Sequence, residues 1–214
     1  FSMKINVTLG KFKKQNKNKK NQIIFLKVKS KNNKPIENII NNFLIKKNTF
    51  VFESVEKRRI RGRYTIFGAD PDKIWEFNKK KIYLLEKNKK KLIKDSPYKC
   101  LKKLIENFNF DLPKNLPSLS SLLVGYFSYD IIRYVEKVPD KCIEDLKIPD
   151  VRLLRPKTII IHDNLHKEFF FILNTYADER IYNYKKYYHN QINFLKNLKD
   201  LDFTIKRNNE AKKI

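Results

Sequence analysis

FVFESVEKRRIRGRYTIFGADPDKIW, residues 50 to 75, is the stretch from which the fold is read. In and around it, Thr49-Phe50-Val51-Phe52, Tyr64-Thr65-Ile66-Phe67, Ile74-Trp75-Glu76-Phe77 and Ile82-Tyr83-Leu84-Leu85 are short β-branched or aromatic runs, separated by charged or Gly/Asp/Pro punctuation. Such side chains fit a pleated, half-buried surface, and the close spacing of the runs predicts an antiparallel meander.

Upstream, residues 1 to 21 read as a polar arm, Ile23 to Leu26 with Val28 as a buried strand or short helix, and Pro35 to Phe43 as a short amphipathic segment. Downstream, Asp95-Ser96-Pro97 supplies an N-cap and a proline at the first helical position. Leu101, Leu104, Ile105 and Phe108 then recur at helical spacing, so a helix is predicted to end before Pro113. Leu122 to Phe127 reads as a buried strand, and Tyr129 to Glu136 as a helix stopped ahead of Pro139.

Thr158 to His162 and Glu168 to Leu173 flank the polar stretch Asp163 to Lys167 and predict a hairpin. Across 178 to 199, Ile181, Tyr184, Tyr188, Ile192 and Leu195 form one apolar stripe, the mark of a last, long helix. Strands outnumber helices and no βαβ alternation occurs. The predicted class is therefore α+β, an antiparallel β-sheet with helices on one face.

The chain has 214 residues, enough for one large domain or two small ones, and 41% of them are apolar, with 16 Phe and 11 Tyr to build a core. No apolar run approaches the roughly 20 residues that cross a bilayer, and no apolar stretch precedes a small-residue cleavage site, so a soluble cytoplasmic protein without a membrane partner is expected. Cys100 and Cys142 lie far apart with no CxxC spacing, which supports neither a disulfide framework nor a zinc knuckle.

The 48 Lys+Arg against 23 Asp+Glu leave a net charge of +25 and a pI near 9.9. That surplus would suit a nucleic-acid binder or a basic RNA-binding module. The excess is carried by Lys, however, with only nine Arg, and the basic runs at 11 to 22, 31 to 42 and 78 to 94 are mostly free of aromatics. A reader of nucleic acid would favour Arg and interleave stacking rings. The expectation is a solvated Lys-rich surface, and no nucleic-acid partner.

Several chemistries find no support. The glycines at 10, 62, 68 and 125 write no phosphate-binding loop. His162 and His166 have the spacing of metal ligands on a helix but fall at the ends of a hairpin turn, and Ser118, Ser120 and Ser121 lie in no nucleophile elbow.

One constellation does suit a ligand. Glu53-Ser54 ends one strand and Arg63-Tyr64 begins the next. A free amino acid needs a carboxylate for its ammonium, a donor or cation for its carboxylate, and an apolar wall for its side chain. Glu53, Ser54, Arg63 and the neighbouring aromatics could supply all of these; an ion pair and cap at a hairpin would use the same residues.

The stretch resembles the N-terminal domain of anthranilate synthase component I, a chorismate-utilising enzyme. That family's Phe-Leu-Leu-Glu-Ser-Val-Glu, Gly-Arg-Tyr-Ser and Ile-Gly pattern is met by Phe50 to Glu56, Gly62 to Thr65 and Phe67-Gly68. Its Gly-Tyr-x-x-Tyr-Asp-x-x-Arg and Glu-x-Pro series is met by Gly125, Tyr126, Tyr129, Asp130, Arg133, Glu136 and Pro139, and its Leu-Pro-Asp, Pro and strand-Asp run by 148 to 163. The similarity covers roughly 22 to 200 in order. Lys57-Arg58-Arg59-Ile60-Arg61 departs from the Gly-Gly often found there.

The resemblance implies a domain over 22–200, one half of an α/β/β/α four-layer fold, with 201–214 starting a linker to a C-terminal chorismate-binding domain that lies beyond Ile214. It implies an enzyme, a lyase, that converts chorismate and ammonia to anthranilate and pyruvate with Mg²⁺, ammonia coming from glutamine through an amidotransferase subunit, component II. No catalytic residue or metal ligand is expected in these residues, and the chain alone is expected to be inactive. Tryptophan, the feedback inhibitor, is implied to meet Ser54, its acidic neighbour Glu53 and, as a weaker transfer, Arg63. Aminodeoxychorismate synthase shares the architecture, and a detached tryptophan-binding domain is a further alternative.

Overall fold

The computed structural model describes residues 5–29, 47–53, 62–139 and 148–200. Ser54, Cys142, the amphipathic segment expected from Pro35 to Phe43 and the stretch 201–214 lie outside the described residues. Helix α1 is Leu9–Lys17, and strands β1 Gln22–Lys29, β2 Phe50–Phe52, β3 Tyr64–Asn78, β4 Lys81–Glu86 and β5 Lys89–Ile93 follow. After them come α2 Pro97–Asn107, β6 Val124–Phe127, β7 Val151–Asp163, β8 Glu168–Thr175 and α3 Tyr184–Asp200.

The strands form one antiparallel eight-stranded sheet in the order β1-β8-β7-β3-β4-β5, with β2 added to β3 and β6 to β7. Along β1 the side chains alternate between two cores, as a strand's period of two requires. Ile24 and Leu26 join Phe67, Ile160 and Phe171 under α1 and α3, whereas Ile23 and Phe25 join Ile66, Ile161 and Phe170 under Phe110, Leu112, Leu116 and Leu122. A third cluster seats Cys100, Leu101 and Leu104 of α2 on Trp75, Phe77, Ile82 and Leu153. The α+β class is as predicted: α1 and α3 cover one face of the central strands, and the extended segment from 110 covers the other.

The runs read as separate strands at 64–67 and 74–77 are one strand, β3. Gly68 to Lys73 looks like a turn because it holds Gly, Asp and Pro. In the fold Pro71 faces Pro156 across the ladder, so both strands lack a donor at the same level, and a bulge between Pro71 and Lys73 absorbs the extra residue. The Pro156 carbonyl accepts instead from the Tyr176 hydroxyl at 2.7 Å.

Residues 9–17, read as part of a polar arm, are helical. Thr8 caps α1 by accepting from the Lys11 N–H, and the helix docks through fully buried Phe12, whose ring lies 5.8 Å from Tyr187 and 5.7 Å from Tyr188 of α3. The helix expected over 129–136 is a six-residue 3₁₀ helix, Tyr129–Tyr134. Arg133 holds it tight: its guanidinium donates to Asp130 at 2.9 Å and to the carbonyls of Val138 and Pro139 at 3.2 and 2.8 Å. The last helix starts at Tyr184, not at 178, with Asn183 accepting from the Lys186 N–H.

Candidate functional site

The amino-acid-binding constellation expected from sequence straddles β2 and β3. Glu53 follows β2 directly and is exposed, and Arg63 immediately precedes β3. Phe50 pairs with Gly68, and its ring occupies the place where any larger residue at 68 would put its Cβ. The Phe50 and Phe52 rings lie 5.2 Å apart, and Phe52 is 52% exposed. An open aromatic face thus stands beside Glu53.

Arg63 does not stand alone. Its Nη2 donates to Asp163 at 2.8 Å and its Nε lies 3.2 Å from the same carboxylate, while its guanidinium lies 4.8 Å from the centre of the Tyr64 ring. Asp163, the buried last residue of β7, also accepts from the backbone N–H groups of Leu165 and His166 at 2.9 and 3.1 Å, and lies 2.9 Å from the His166 ring. Burial pushes the Asp163 carboxyl up, but hydrogen bonds from Arg63, His166 and the two N–H groups outweigh it and hold the group well below the usual carboxylate range.

The same β7–β8 turn fixes the start of β3. The Asn164 N–H donates to the Arg63 carbonyl at 2.8 Å, and the Asn164 side chain donates to the Gly62 carbonyl and the Thr65 hydroxyl, each at 3.2 Å. His166 is a turn residue, as read from sequence, whereas His162 is buried within β7 against Phe169 at 4.4 Å. Asp163 belonged to a recognised strand-Asp run, yet nothing local in the sequence tied it to Arg63, 100 residues away.

The other motif residues build the frame. Gly125 of β6 sits so close to the Arg152 backbone that a Cβ would meet its carbonyl oxygen. Asp150 accepts from the Tyr134 hydroxyl at 2.6 Å and from the Lys79 N–H at 2.9 Å, which ties the 3₁₀ helix to the β3–β4 turn.

An ionic cluster unforeseen from sequence lies at the β3 bulge. Buried Arg155 donates to Asp72 at 2.8 Å and to Asp178 at 2.9 and 3.1 Å, with its guanidinium 3.9 Å from the centre of the Tyr176 ring. Lys73 meets Asp178 at 2.7 Å, and Lys157 meets Glu179 at 2.6 Å and Tyr187 at 2.9 Å. Burial alone would lower the Arg155 pKa, but the carboxylates raise it above the ordinary arginine value. Asp178, although burial opposes this, is held below the usual range by Arg155 and Lys73. These contacts tie 178 and 179, which precede helix α3, to β3 and β7.

Among the described residues no group of three or more His, Cys, Asp or Glu converges to hold a metal, and no helix is long and apolar enough to cross a membrane.

No family model matches the chain. Curated relatives do. Anthranilate synthase component 1 of Cereibacter sphaeroides is 29% identical over 153 residues, covering 69% of this chain and 31% of the relative. Its counterpart from Acinetobacter calcoaceticus is 30% identical over 161 residues, covering 70% of this chain and 31% of the relative. The crystal structure of anthranilate synthase component I from Streptococcus pneumoniae aligns with a TM-score of 0.51 at 18% identity, over 80% of this chain and 36% of that one. The chain thus spans about a third of the length of the relatives it matches. The resemblance read from the motifs is borne out, and the fold matches that of part of the solved structure.

Proposed function

We propose that this chain, a relative of anthranilate synthase component I in sequence and fold, is the effector-binding portion of such an enzyme: the N-terminal domain through which tryptophan restrains the conversion of chorismate and ammonia to anthranilate and pyruvate. The observation that carries the reading is the β2–β3 pair, where the Glu-Ser-Val-Glu motif begins directly after β2 and Phe52 and Glu53 are both exposed.

The chemistry suits an aromatic amino acid. Glu53 offers a carboxylate to an ammonium, Ser54 a hydroxyl to a carboxylate, and the Phe50/Phe52 pair an apolar wall to an indole. Arg63 contributes as a guanidinium shared with Asp163, so its positive charge is partly neutralised before any ligand arrives. Inhibition then requires that tryptophan bind one arrangement of the enzyme better than another, because a ligand of equal affinity for both shifts nothing.

Chorismate, Mg²⁺ and the glutamine amidotransferase subunit belong to this reading as partners of the whole cytoplasmic enzyme. Mg²⁺ belongs in this reading to the catalytic portion; among the described residues no three His, Cys, Asp or Glu side chains converge to hold it. Alone, the chain is expected to form no anthranilate.

The test is inhibition of the enzyme that carries this chain together with its catalytic portion. Ser54→Phe or Ser54→Leu replaces the hydroxyl by a bulky apolar side chain and is expected to relieve tryptophan inhibition with chorismate turnover largely intact. Unchanged inhibition in both variants removes Ser54 from the site, and anthranilate formation by the isolated chain overturns the assignment of catalysis elsewhere.

A further inference from the structure

Between the β4–β5 hairpin and the segment that leads from β8 to α3 runs a cleft of about 960 Å³. Its floor is the ionic cluster of Arg155, Lys73 and Lys157 with Asp72, Asp178 and Glu179, whose charges satisfy one another. The rim differs. Lys87, Lys89 and Lys91 line one wall and Arg180 the other, and none of these pairs with an acidic group among the described residues. Beside Arg180 stands Tyr182, 92% exposed.

We propose that this rim binds single-stranded nucleic acid, with phosphates along the lysine wall and a base on Tyr182. The inference is independent of the tryptophan reading. The basic runs by themselves carry few aromatics; the fold brings Tyr182 to the lysines from more than 90 residues along the chain. Lys89 and Lys91 project from the same side of β5, a two-residue spacing on the order of 7 Å, close to the interval between successive phosphates of an extended strand. Lys90, on the alternate side, is held instead by Glu76 at 2.9 Å. A small anion entering the cleft would meet the carboxylates of the floor, whereas a linear polyanion along the rim meets Lys87, Lys89, Lys91 and Arg180, the one acidic side chain beside these lysines, Glu86, being drawn to Lys73 at 3.7 Å. The exposed ring adds stacking, which a merely anionic polymer cannot use.

The test is fluorescence anisotropy of a labelled oligouridylate of about a dozen nucleotides with the whole chain, at several salt concentrations. Lys87→Glu/Lys89→Glu/Lys91→Glu weakens binding by about tenfold or more and lowers the salt slope by about two, as loss of three single-strand phosphate contacts requires. Lys11→Glu/Lys14→Glu/Lys196→Glu, with the same change of charge on exposed helical positions, weakens it by less than about threefold. Tyr182→Ala, at a side chain too exposed to affect folding, weakens oligouridylate binding about fivefold or more and leaves heparin binding unchanged. Equal losses from the two triple variants, no saturable binding near physiological salt, or oligouridylate binding indifferent to Tyr182→Ala overturns the proposal.

Discussion

The Phe50 ring lies over Gly68, its partner across the β2–β3 ladder, and fills the space that a side chain at 68 would need. The motif residues Phe50 and Gly68 are therefore one packing unit: the glycine is bare so that the aromatic can lie flat over the neighbouring strand. Such a ring shields the glycine backbone and pins register. Register matters here because a one-residue slip would move Phe52 to the other face of the sheet and shift Glu53 along the strand edge.

Gly68→Ala forces the ring aside and is expected to destabilise the chain by about 1–3 kcal/mol, the usual range for overpacking. Phe50→Ala in the same background removes the obstacle, so the double variant should lose less than the sum of the two single losses. Denaturant melts of the set measure this; strict additivity would show that the two side chains do not meet.

At Gly125 the obstacle is backbone, and the outcome is harsher. A Cβ there meets the Arg152 carbonyl of the paired strand, which no rotamer change can move. Gly125→Ala is expected to cost more than Gly68→Ala and to unseat β6 from β7. Melts of the two variants side by side check the order, and faster amide exchange over 151–154 locates the damage.

Phe12 is the main anchor of α1. Its side chain is fully buried between helix and sheet, and Phe12→Ala is expected to cost about 3–5 kcal/mol. A change at a surface arm would cost nothing measurable, so a melt decides whether residues 9–17 belong to the packed unit.

The helix at Phe12 shows what sequence reading can miss. The segment KFKKQNKNKKNQ has no apolar stripe, and its helical part docks onto α3 through the Phe12 ring and the Tyr184 hydroxyl, which donates to Asn16 at 3.0 Å. Strand β5, KKKLI, was equally hidden: an exposed edge strand carries a row of lysines in place of alternation. By contrast, the β7–β8 hairpin and α2 were legible because their apolar periods and caps are local. The same division runs through the candidate site. Glu53 and Arg63 are visible as strand flanks, but the Arg63–Asp163 and Arg155–Asp72 pairs span 100 and 83 residues and are brought together by β3–β7 registry.

Arg155 gives that registry an energetic consequence. Arg155 is 9% exposed, and its guanidinium is shared by Asp72, in the β3 bulge, and Asp178, in the segment after β8. Arg155→Ala leaves two carboxylates facing each other with Lys73 as the main remaining counter-charge, and a loss of about 3–5 kcal/mol is expected. Arg155→Ala in an Asp72→Asn background should be milder, because one of the orphaned charges is gone. A double variant as unstable as the sum of both single changes would break the coupling.

Asp163 makes acid stability depend on the candidate site. Its folded pKa lies below the unfolded value of about 3.9, because Arg63, His166 and two backbone N–H groups favour the carboxylate despite burial. A depressed carboxylate contributes stability that is fully present above the unfolded pKa and is lost as pH falls through that value toward the folded one. The contribution should therefore be constant from pH 7 to about 5 and fade below about 4. Asp163→Asn removes it at every pH, so wild type and variant should differ most near neutrality and converge in acid. Denaturant midpoints taken between pH 6 and pH 2.5 measure the convergence, and parallel curves for the two proteins would mean that Asp163 titrates in the folded chain as it does in the unfolded one.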